Sequence, residues 1–449
     1  MRDALTRGGT WPAFQVAHAV ATGEWTTWRR YREGMQFRRQ SARWSPDQRN
    51  EWVLAAVRRA ARHAFDTTRL YRRLWGEVGF DPRRDFGYDD LARLPVVRRA
   101  DLQEAGDEAQ STAVPAHARR RDATGGSTGE PLTLWTGPEE RGWRASGTET
   151  FFRRLGVPTG VRTAFLWGHH LDPQARDSLA TRIVDAAANR ERFEALRLSP
   201  DVLLSYHRRL QATRPACVVA YASTLADLAA VVSDAGGEPP AYPGRCFVTG
   251  AEKLHGPQRE LIERVFGKPV HERYGSRDVG NMAFQYDPTS SDLDVDWALV
   301  HVEPAVQAPV APILVTKLHA DAMPLIRYAV EDVAEFPEGS RPGAPAFQLH
   351  AVLGRSTDRV VLPGGRWVHG LEFPHLMKDF PVRDFQVVQA RDLTVEVRLV
   401  PGASFTPALR ATLQRALQAN LPDVPLTLRE VSHIPRTAAN KWRPVISEA

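Results

Sequence analysis

Ala216-Cys217-Val218-Val219-Ala220-Tyr221 is a short apolar run with two β-branched valines at its centre, and Thr224 to Ala235 follows it as a segment of helix length. The alternation recurs on both sides. Thr163 to Trp167, Arg245 to Thr249 and Lys268 to Arg273 read as strands, and Gly256 to Phe266 as a helix between the last two. Short apolar runs alternating with helices predict βαβ units and a largely parallel sheet, hence an α/β fold. In such sheets ligands bind beyond the carboxyl ends of the strands. Gly250-Ala251-Glu252 and Tyr274-Gly275-Ser276-Arg277-Asp278, which follow the third and fourth of these runs, are therefore expected on one rim.

Upstream, residues 1 to 120 read as a helical, basic supporting layer. Within it Asp47 to Thr68 carries Trp52, Val53, Ala56, Val57, Ala60 and Ala64 at the spacing of one helix face. Between this layer and a second helical stretch, Glu139 to Leu155, lies Thr124-Gly125-Gly126-Ser127-Thr128-Gly129-Glu130-Pro131. Its glycines let successive N–H groups converge on an oxyanion, and its hydroxyls add donors, so the stretch suits a phosphate. It is not a Walker loop, because Glu130 stands where that motif needs lysine. Taken alone, such a cluster is equally the composition of an ordinary turn.

Downstream, Ala311 to Leu318 reads as a strand before the segment Leu325 to Asp332, and Gly and Pro cluster from Pro337 to Pro345. A linker at 354 to 359 is expected to divide a large unit, residues 1–353, from a small α+β unit, residues 354–449. The small unit carries strands at Phe385 to Gln389, Thr394 to Val400 and Leu426 to Val431, with a helix from Pro407 to Leu421.

The 449 residues are 43% hydrophobic and 25% charged with a net charge of +6, the profile of a globular chain rather than a disordered one. Arginines supply nearly all the positive charge and are spread along amphipathic segments, which favours a solvated basic surface over nucleic-acid binding. Only five lysines occur, Lys253, Lys268, Lys317, Lys378 and Lys441, so each carries unusual weight. Cys217 and Cys246 lie in apolar runs and read as buried thiols in a reducing compartment. No secretory or membrane-spanning segment is apparent, and a cytoplasmic protein without membrane association is expected. The histidines lack metal-ligand spacing.

The ordered series Thr124 to Pro131, Gly250-Ala251-Glu252, Tyr274 to Asp278, Arg327-Tyr328 through Asp332, Gly354-Arg355 through Asp358, and Lys441 resembles the acyl-adenylate-forming superfamily. Within it the chain is similar to the phenylacetate–coenzyme A ligase-like (CapK-like) branch, from about residue 90 to residue 445. The resemblance implies a large α/β adenylation domain with mixed, largely parallel sheets, and a small mobile C-terminal domain turning about Thr357 and Asp358.

It also implies roles. Thr124, Gly125, Gly126, Ser127, Thr128 and Gly129 would hold the β- and γ-phosphates of ATP. Gly250, Ala251 and Glu252 would border adenine, with Tyr274 stacking on it, and Gly275 and Ser276 would belong to the same nucleotide site. Asp332 would accept from the ribose hydroxyls, and Arg355 would donate to the ribose or phosphate side. Lys441 would bridge the substrate carboxylate and the α-phosphate as charge builds on phosphorus. Three positions depart from the family pattern: Asp278 replaces a magnesium-binding glutamate, Arg277 a serine or threonine at the α-phosphate, and Asn440 a glycine before the lysine.

The acid is expected between the rim and the sheet, among Trp167, His169, Tyr221, Ser223, Phe247 and His271, whose aromatic members suit an aryl or arylalkanoic acid. The expected reaction is ATP- and magnesium-dependent formation of an acyl-adenylate, with coenzyme A as acceptor. Two other readings stay open: transfer to an amine, and a nucleotide-binding module without chemistry. The sequence leaves monomer and homodimer equally open.

Overall fold

The computed structural model describes residues 24–123, 132–168, 179–195, 198–236, 239–355, 359–365, 367–370, 372–377, 379–402, 404–435 and 444–448. The phosphate-loop stretch Thr124 to Pro131, His169, Thr357, Asp358 and Lys441 lie outside the described residues.

The N-terminal layer consists of α1 (Trp25–Gln40), α2 (Pro46–Thr67), α3 (Arg69–Glu77), α4 (Tyr88–Arg93) and α5 (Arg99–Ala105). The start of α2 is fixed locally. Ser45 Oγ accepts from the Gln48 N–H at 3.2 Å, Gln48 Oε1 accepts from the Ser45 N–H at 2.9 Å, and Pro46 occupies the first turn, so two orphan donors are satisfied reciprocally. Val53, Ala56, Val57, Ala61 and Ala64 form the buried face of α2, close to the stripe expected from the sequence. A hairpin, β1 (Arg120–Ala123) and β2 (Thr133–Thr136), precedes α6 (Pro138–Arg154).

The central sheet contains β3 (Thr163–Trp167), β4 (Arg190–Glu194), β5 (Cys217–Ala220), β6 (Cys246–Thr249), β7 (Val270–Ser276), β8 (Gly280–Phe284) and β9 (Leu293–Val295). The intervening helices are α7 (Leu179–Ala187), α8 (Pro200–Thr213), α9 (Ala222–Ala235) and α10 (Gly256–Phe266). From β4 through β3, β5 and β6 to β7 the strands are parallel; β8 then pairs antiparallel with β7, and β9 antiparallel with β8. All four residues of β5 are buried, as a parallel strand covered on both faces requires. Val218, Ala220, Phe247 and Val270 pack against Leu225, Leu228, Ile262 and Phe266 of α9 and α10. On the opposite face Cys217, Val219, Cys246 and Val248 pack with Phe151 of α6. Both cysteines are free and face each other in register across β5 and β6.

A second, antiparallel sheet follows, β10 (Val300–Pro304), β11 (Val310–Lys317), β12 (Tyr328–Glu335) and β14 (Ala351–Arg355), while β13 (Gln348–Leu349) returns to the edge of the central sheet beside β9. The N-terminal layer is tied to this sheet through Arg327. Its guanidinium donates to the Ala92 carbonyl at 2.7 Å and to Glu303 Oε1 at 3.0 Å, and its own carbonyl accepts from the Val97 N–H at 3.1 Å.

Residues 359–448 build β15 (Arg359–Val361), β16 (Trp367–His369), α11 (Glu372–Met377), β17 (Val382–Gln389), β18 (Val395–Pro401), α12 (Pro407–Asn420), β19 (Leu426–Glu430) and β20 (Val445–Ser447). They enclose a hydrophobic cluster of their own around Val387, Val397, Leu399, Leu413 and Leu417. The protein is therefore of mixed α/β class. Among the described residues no helix is long and apolar enough to cross a membrane.

One expected pocket residue is placed differently. Phe247 is fully buried at 0% exposure, its ring 4.9 Å from Phe266 of α10, on the sheet face opposite α6. It belongs to the core because β6 alternates and its neighbours Cys246 and Val248 take the other face. Phe247→Ala is expected to lower stability by about 3–5 kcal/mol through lost burial and a residual cavity, measured as an earlier midpoint in urea unfolding.

Candidate active site

The rim is built where β7 leaves the central sheet. Strand β7 turns sharply into β8, and a Cβ on Gly275 would lie 2.3 Å from the Gly280 carbonyl oxygen and 2.8 Å from Asn281 Cα, so no side chain fits there. Ser276 Oγ accepts from the Val279 N–H at 3.2 Å and holds the turn that carries Arg277 and Asp278.

Two hydrogen bonds cross from this segment to β12. The Tyr274 hydroxyl donates to Asp332 Oδ2 at 2.7 Å, and the Tyr328 hydroxyl donates to Asp278 Oδ2 at 2.6 Å. Each segment thus contributes one tyrosine and, four residues later, one aspartate, and the segments pair reciprocally. Arg355 of β14 lies opposite Asp332 in the strand ladder. Burial, reinforced by the carboxylate each one faces, holds both phenols well above the ordinary tyrosine range, so both remain donors at neutral pH.

Beneath the turn lies a buried ion pair. Lys317 Nζ, at the end of β11, is 2.5 Å from Glu140 Oε1 in the first turn of α6, with both side chains at most 5% exposed. The same ammonium donates to the Asp278 carbonyl at 3.4 Å, and Arg144 reaches Glu140 at 3.4 Å. Glu140 therefore joins the helix that follows the phosphate-loop stretch to the segment bearing Asp278.

Further along the rim, Glu252 Oε2 accepts from the Ser223 N–H at 2.9 Å at the N-terminus of α9, where a carboxylate meets an unpaired donor and the positive end of the helix. Ala251 holds φ at +64°, a strained setting for a residue with a Cβ. Trp167 and Tyr221, at the carboxyl ends of β3 and β5, bring their rings to 4.3 Å. Burial raises the Tyr221 phenol, and Arg277 offsets part of that rise.

Tyr274, Gly275, Ser276, Arg277, Asp278, Asp332 and Arg355 thus form one cluster, and Gly250, Ala251, Glu252, Ser223, Tyr221 and Trp167 continue it along the strand ends. His271 departs from the expected pocket: it is 6% exposed, and its Nδ1 meets the Gln285 carbonyl at 3.2 Å within the sheet. Burial depresses its pKa, which keeps the ring neutral. The sequence alone does not place Lys317 beside Glu140 or pair Tyr328 with Asp278. The signals were present: the scarcity of lysine, and the spacing Tyr-x-x-x-Asp at both 274–278 and 328–332.

No family model matches the chain. It is 21% identical to a phenylacetate-coenzyme A ligase of Pseudomonas putida over 342 residues, 71% of this chain and 73% of that protein. Against a phenylacetate-coenzyme A ligase of Thermus thermophilus the identity is 22% over 363 residues, 76% and 78% of the two chains. A solved 2-hydroxyisobutyryl-CoA ligase, in the postadenylation state with its acyl-AMP, superposes with a TM-score of 0.70 over 90% of each chain at 18% identity, a likeness of fold.

Lys317→Met leaves Glu140 charged and unpartnered by the ammonium. It is expected to cost about 3–5 kcal/mol in denaturant unfolding, with much of the loss recovered when Glu140→Leu is added. A second expectation concerns alkaline pH. Because both rim phenols titrate higher in the fold than in the unfolded chain, the stability they contribute is complete below about pH 10 and is lost as pH rises beyond it. Denaturation series on either side of that pH should show a shallower alkaline decline for Tyr274→Phe and Tyr328→Phe than for the wild type.

Proposed function

With the acyl-adenylate-forming superfamily, and within it the phenylacetate–coenzyme A ligase-like branch, as the family of this chain, we propose that the protein activates a carboxylic acid with ATP and passes the acyl group to coenzyme A. The observation that carries the reading is the reciprocal Tyr–Asp clasp at the sheet's carboxyl rim, in a chain similar to phenylacetate-coenzyme A ligases over about three quarters of its length.

In the first half-reaction a carboxylate oxygen of the acid attacks the α-phosphorus of ATP, and the bond to the bridging oxygen breaks, releasing pyrophosphate. In the second, the coenzyme A thiolate attacks the acyl carbonyl and AMP departs. An in-line displacement of this kind needs positioning and charge stabilisation more than covalent help. Asp332 takes the ribose hydroxyls. The bond from Tyr274 to Asp332 engages the phenol's only donor and fixes the ring, whose flat face suits adenine. Arg355 serves the ribose or phosphate side, and Gly250, Ala251 and Glu252 border the base. The Thr124 to Gly129 stretch grips the departing phosphates.

Asp278 is the residue that would hold magnesium. Its Oδ1 carries no hydrogen bond from a described residue, and among the described residues no group of three or more His, Cys, Asp or Glu is arranged for a metal. A single carboxylate oxygen fits an ion that keeps waters and takes most of its ligands from a triphosphate. When bound, the ion neutralises phosphate charge. Arg277 adds a charge-assisted contact to the α-phosphate, and Lys441 bridges that phosphate and the acid. Residues 354–449 act as a mobile domain, turning about Thr357 and Asp358 to withdraw Lys441 before thiol attack. The Trp167–Tyr221 ring pair favours an aryl or arylalkanoic acid.

Acid-dependent exchange of labelled pyrophosphate into ATP across a carboxylic acid library tests the first step. Lys441→Ala is expected to slow the exchange about 10²- to 10³-fold, the scale of one lost transition-state charge contact; undiminished exchange would remove the lysine from this role. Mass spectrometry with coenzyme A supplied should find the thioester, and an amide formed from an added amine in its place would redirect the second step.

A further inference from the structure

Arg273 has no place in the chemistry above, yet its setting is that of a ligand-binding cation. Strand alternation turns its side chain to the α6 face of the central sheet, away from Glu272, which pairs with Arg259 of α10 on the other face at 3.0 Å. Thr249 stands opposite Glu272 in the parallel register, so Gly250 lies beside Arg273. A Cβ on Gly250 would come within 3.0 Å of Arg273 Cγ and 3.1 Å of its Nε. The missing side chain is what lets the arginine lie across the end of β6. Its guanidinium comes to rest 4.9 Å from the centroid of Trp167, the ring that packs on Tyr221.

Among the described residues the charge has no counter-charge. Arg38 meets Asp296 at 2.6 Å, Arg153 meets Glu149 at 2.6 Å and Arg327 meets Glu303 at 3.0 Å. Among the described residues no carboxylate or hydrogen-bond acceptor meets the Arg273 guanidinium; its electrostatic neighbours are Cys217, Tyr221 and Arg190. Desolvation pulls its pKa down to about 10, which still leaves it charged at neutral pH. A partly buried guanidinium with five donors and only an aromatic face beside it is costly unless an anion completes it. Tyr274, the next residue along β7, reaches Asp332 on β12. Successive residues of β7 thus turn to different partners, Tyr274 to Asp332 and Arg273 to the Trp167 ring.

We propose that Arg273 is a specificity-determining residue that recognises a second anionic group on the acid, so that the preferred substrate is an aryl or arylalkanoic acid carrying a further carboxylate. The proposal rests on the acid-activating reading above and names the substrate class within it. Trp167 and Tyr221 receive the ring, Arg273 takes the distal carboxylate in a charge-assisted pair, and Gly250 keeps the path open.

The test compares phenylacetate with phenylacetates bearing a ring carboxylate, in pyrophosphate exchange and in direct calorimetric binding. Wild type is expected to favour the diacid by about 10- to 100-fold, the scale of one charged hydrogen-bond contact. Arg273→Met should remove that preference while leaving phenylacetate within about threefold, and Arg273→Lys should restore part of it. The variant should also fold with undiminished Tm, since it removes an unpaired charge. Equal losses for both acids, as from a contact to the reacting carboxylate, would overturn the proposal, as would an unchanged diacid preference. Should wild type exchange with no acid at all, the adenylation reading fails, and calorimetry still decides between a diacid site lost in Arg273→Met and none.

Discussion

The functional rim depends on two hydrogen bonds that run between the same two segments in opposite senses. Tyr274 reaches Asp332 and Tyr328 reaches Asp278, so the end of β7 and the start of β12 are fastened at two points and cannot pivot about either one. A hydrogen bond to a charged acceptor contributes about 1.5–3 kcal/mol where water is excluded. The central sheet and the antiparallel sheet have separate ladders, and these bonds join them at the candidate site. Each carboxylate spends one oxygen on structure, which orients the group before any ligand arrives.

Below the clasp, the order of the chain follows from simpler forces. The inner parallel strands β5 and β6 are covered on both faces, and runs such as Cys217–Ala220 read as uninterrupted apolar sequence for that reason. That made the βαβ core legible: Thr163–Trp167 and Gly256–Phe266 were read at their observed bounds, and β5 and β6 within a residue or two. Helix α2 was legible through its apolar stripe, while its Ser45 cap is a finding of the structure. The antiparallel strands β8, β9 and β10 were not. They carry Asn281, Asp294 and His301 among apolar residues, and they are defined by pairing with distant partners rather than by local period. Helix α1 escaped because its sequence is crowded with arginine and its buried positions, Thr27, Tyr31, Gly34 and Met35, do not form an obvious apolar stripe.

Much of the candidate site was legible as residue types in order, because a nucleotide site needs glycines, an aromatic face and carboxylates at strand ends. Its wiring was not. That Asp278 is held by Tyr328, or that Glu140 reaches Lys317 across 177 positions of chain, depends on how two sheets and a helix come together. Phe247 was misplaced for a related reason. An aromatic residue near a strand end looks the same in sequence whichever way it points, and in the structure alternation turns it toward α10. Gly250 illustrates the converse: read as a neighbour of a base, it also serves as the gap through which Arg273 crosses its strand.

The Lys317–Glu140 pair carries a consequence for how such a site can change over evolutionary time. Either residue replaced alone passes through a state in which a charge beneath the rim has lost its nearest counter-charge. The helix after the phosphate-loop stretch and the turn bearing Asp278 are therefore bound to one another in their history as well as in space. Variation at one position is open chiefly to lineages that alter both.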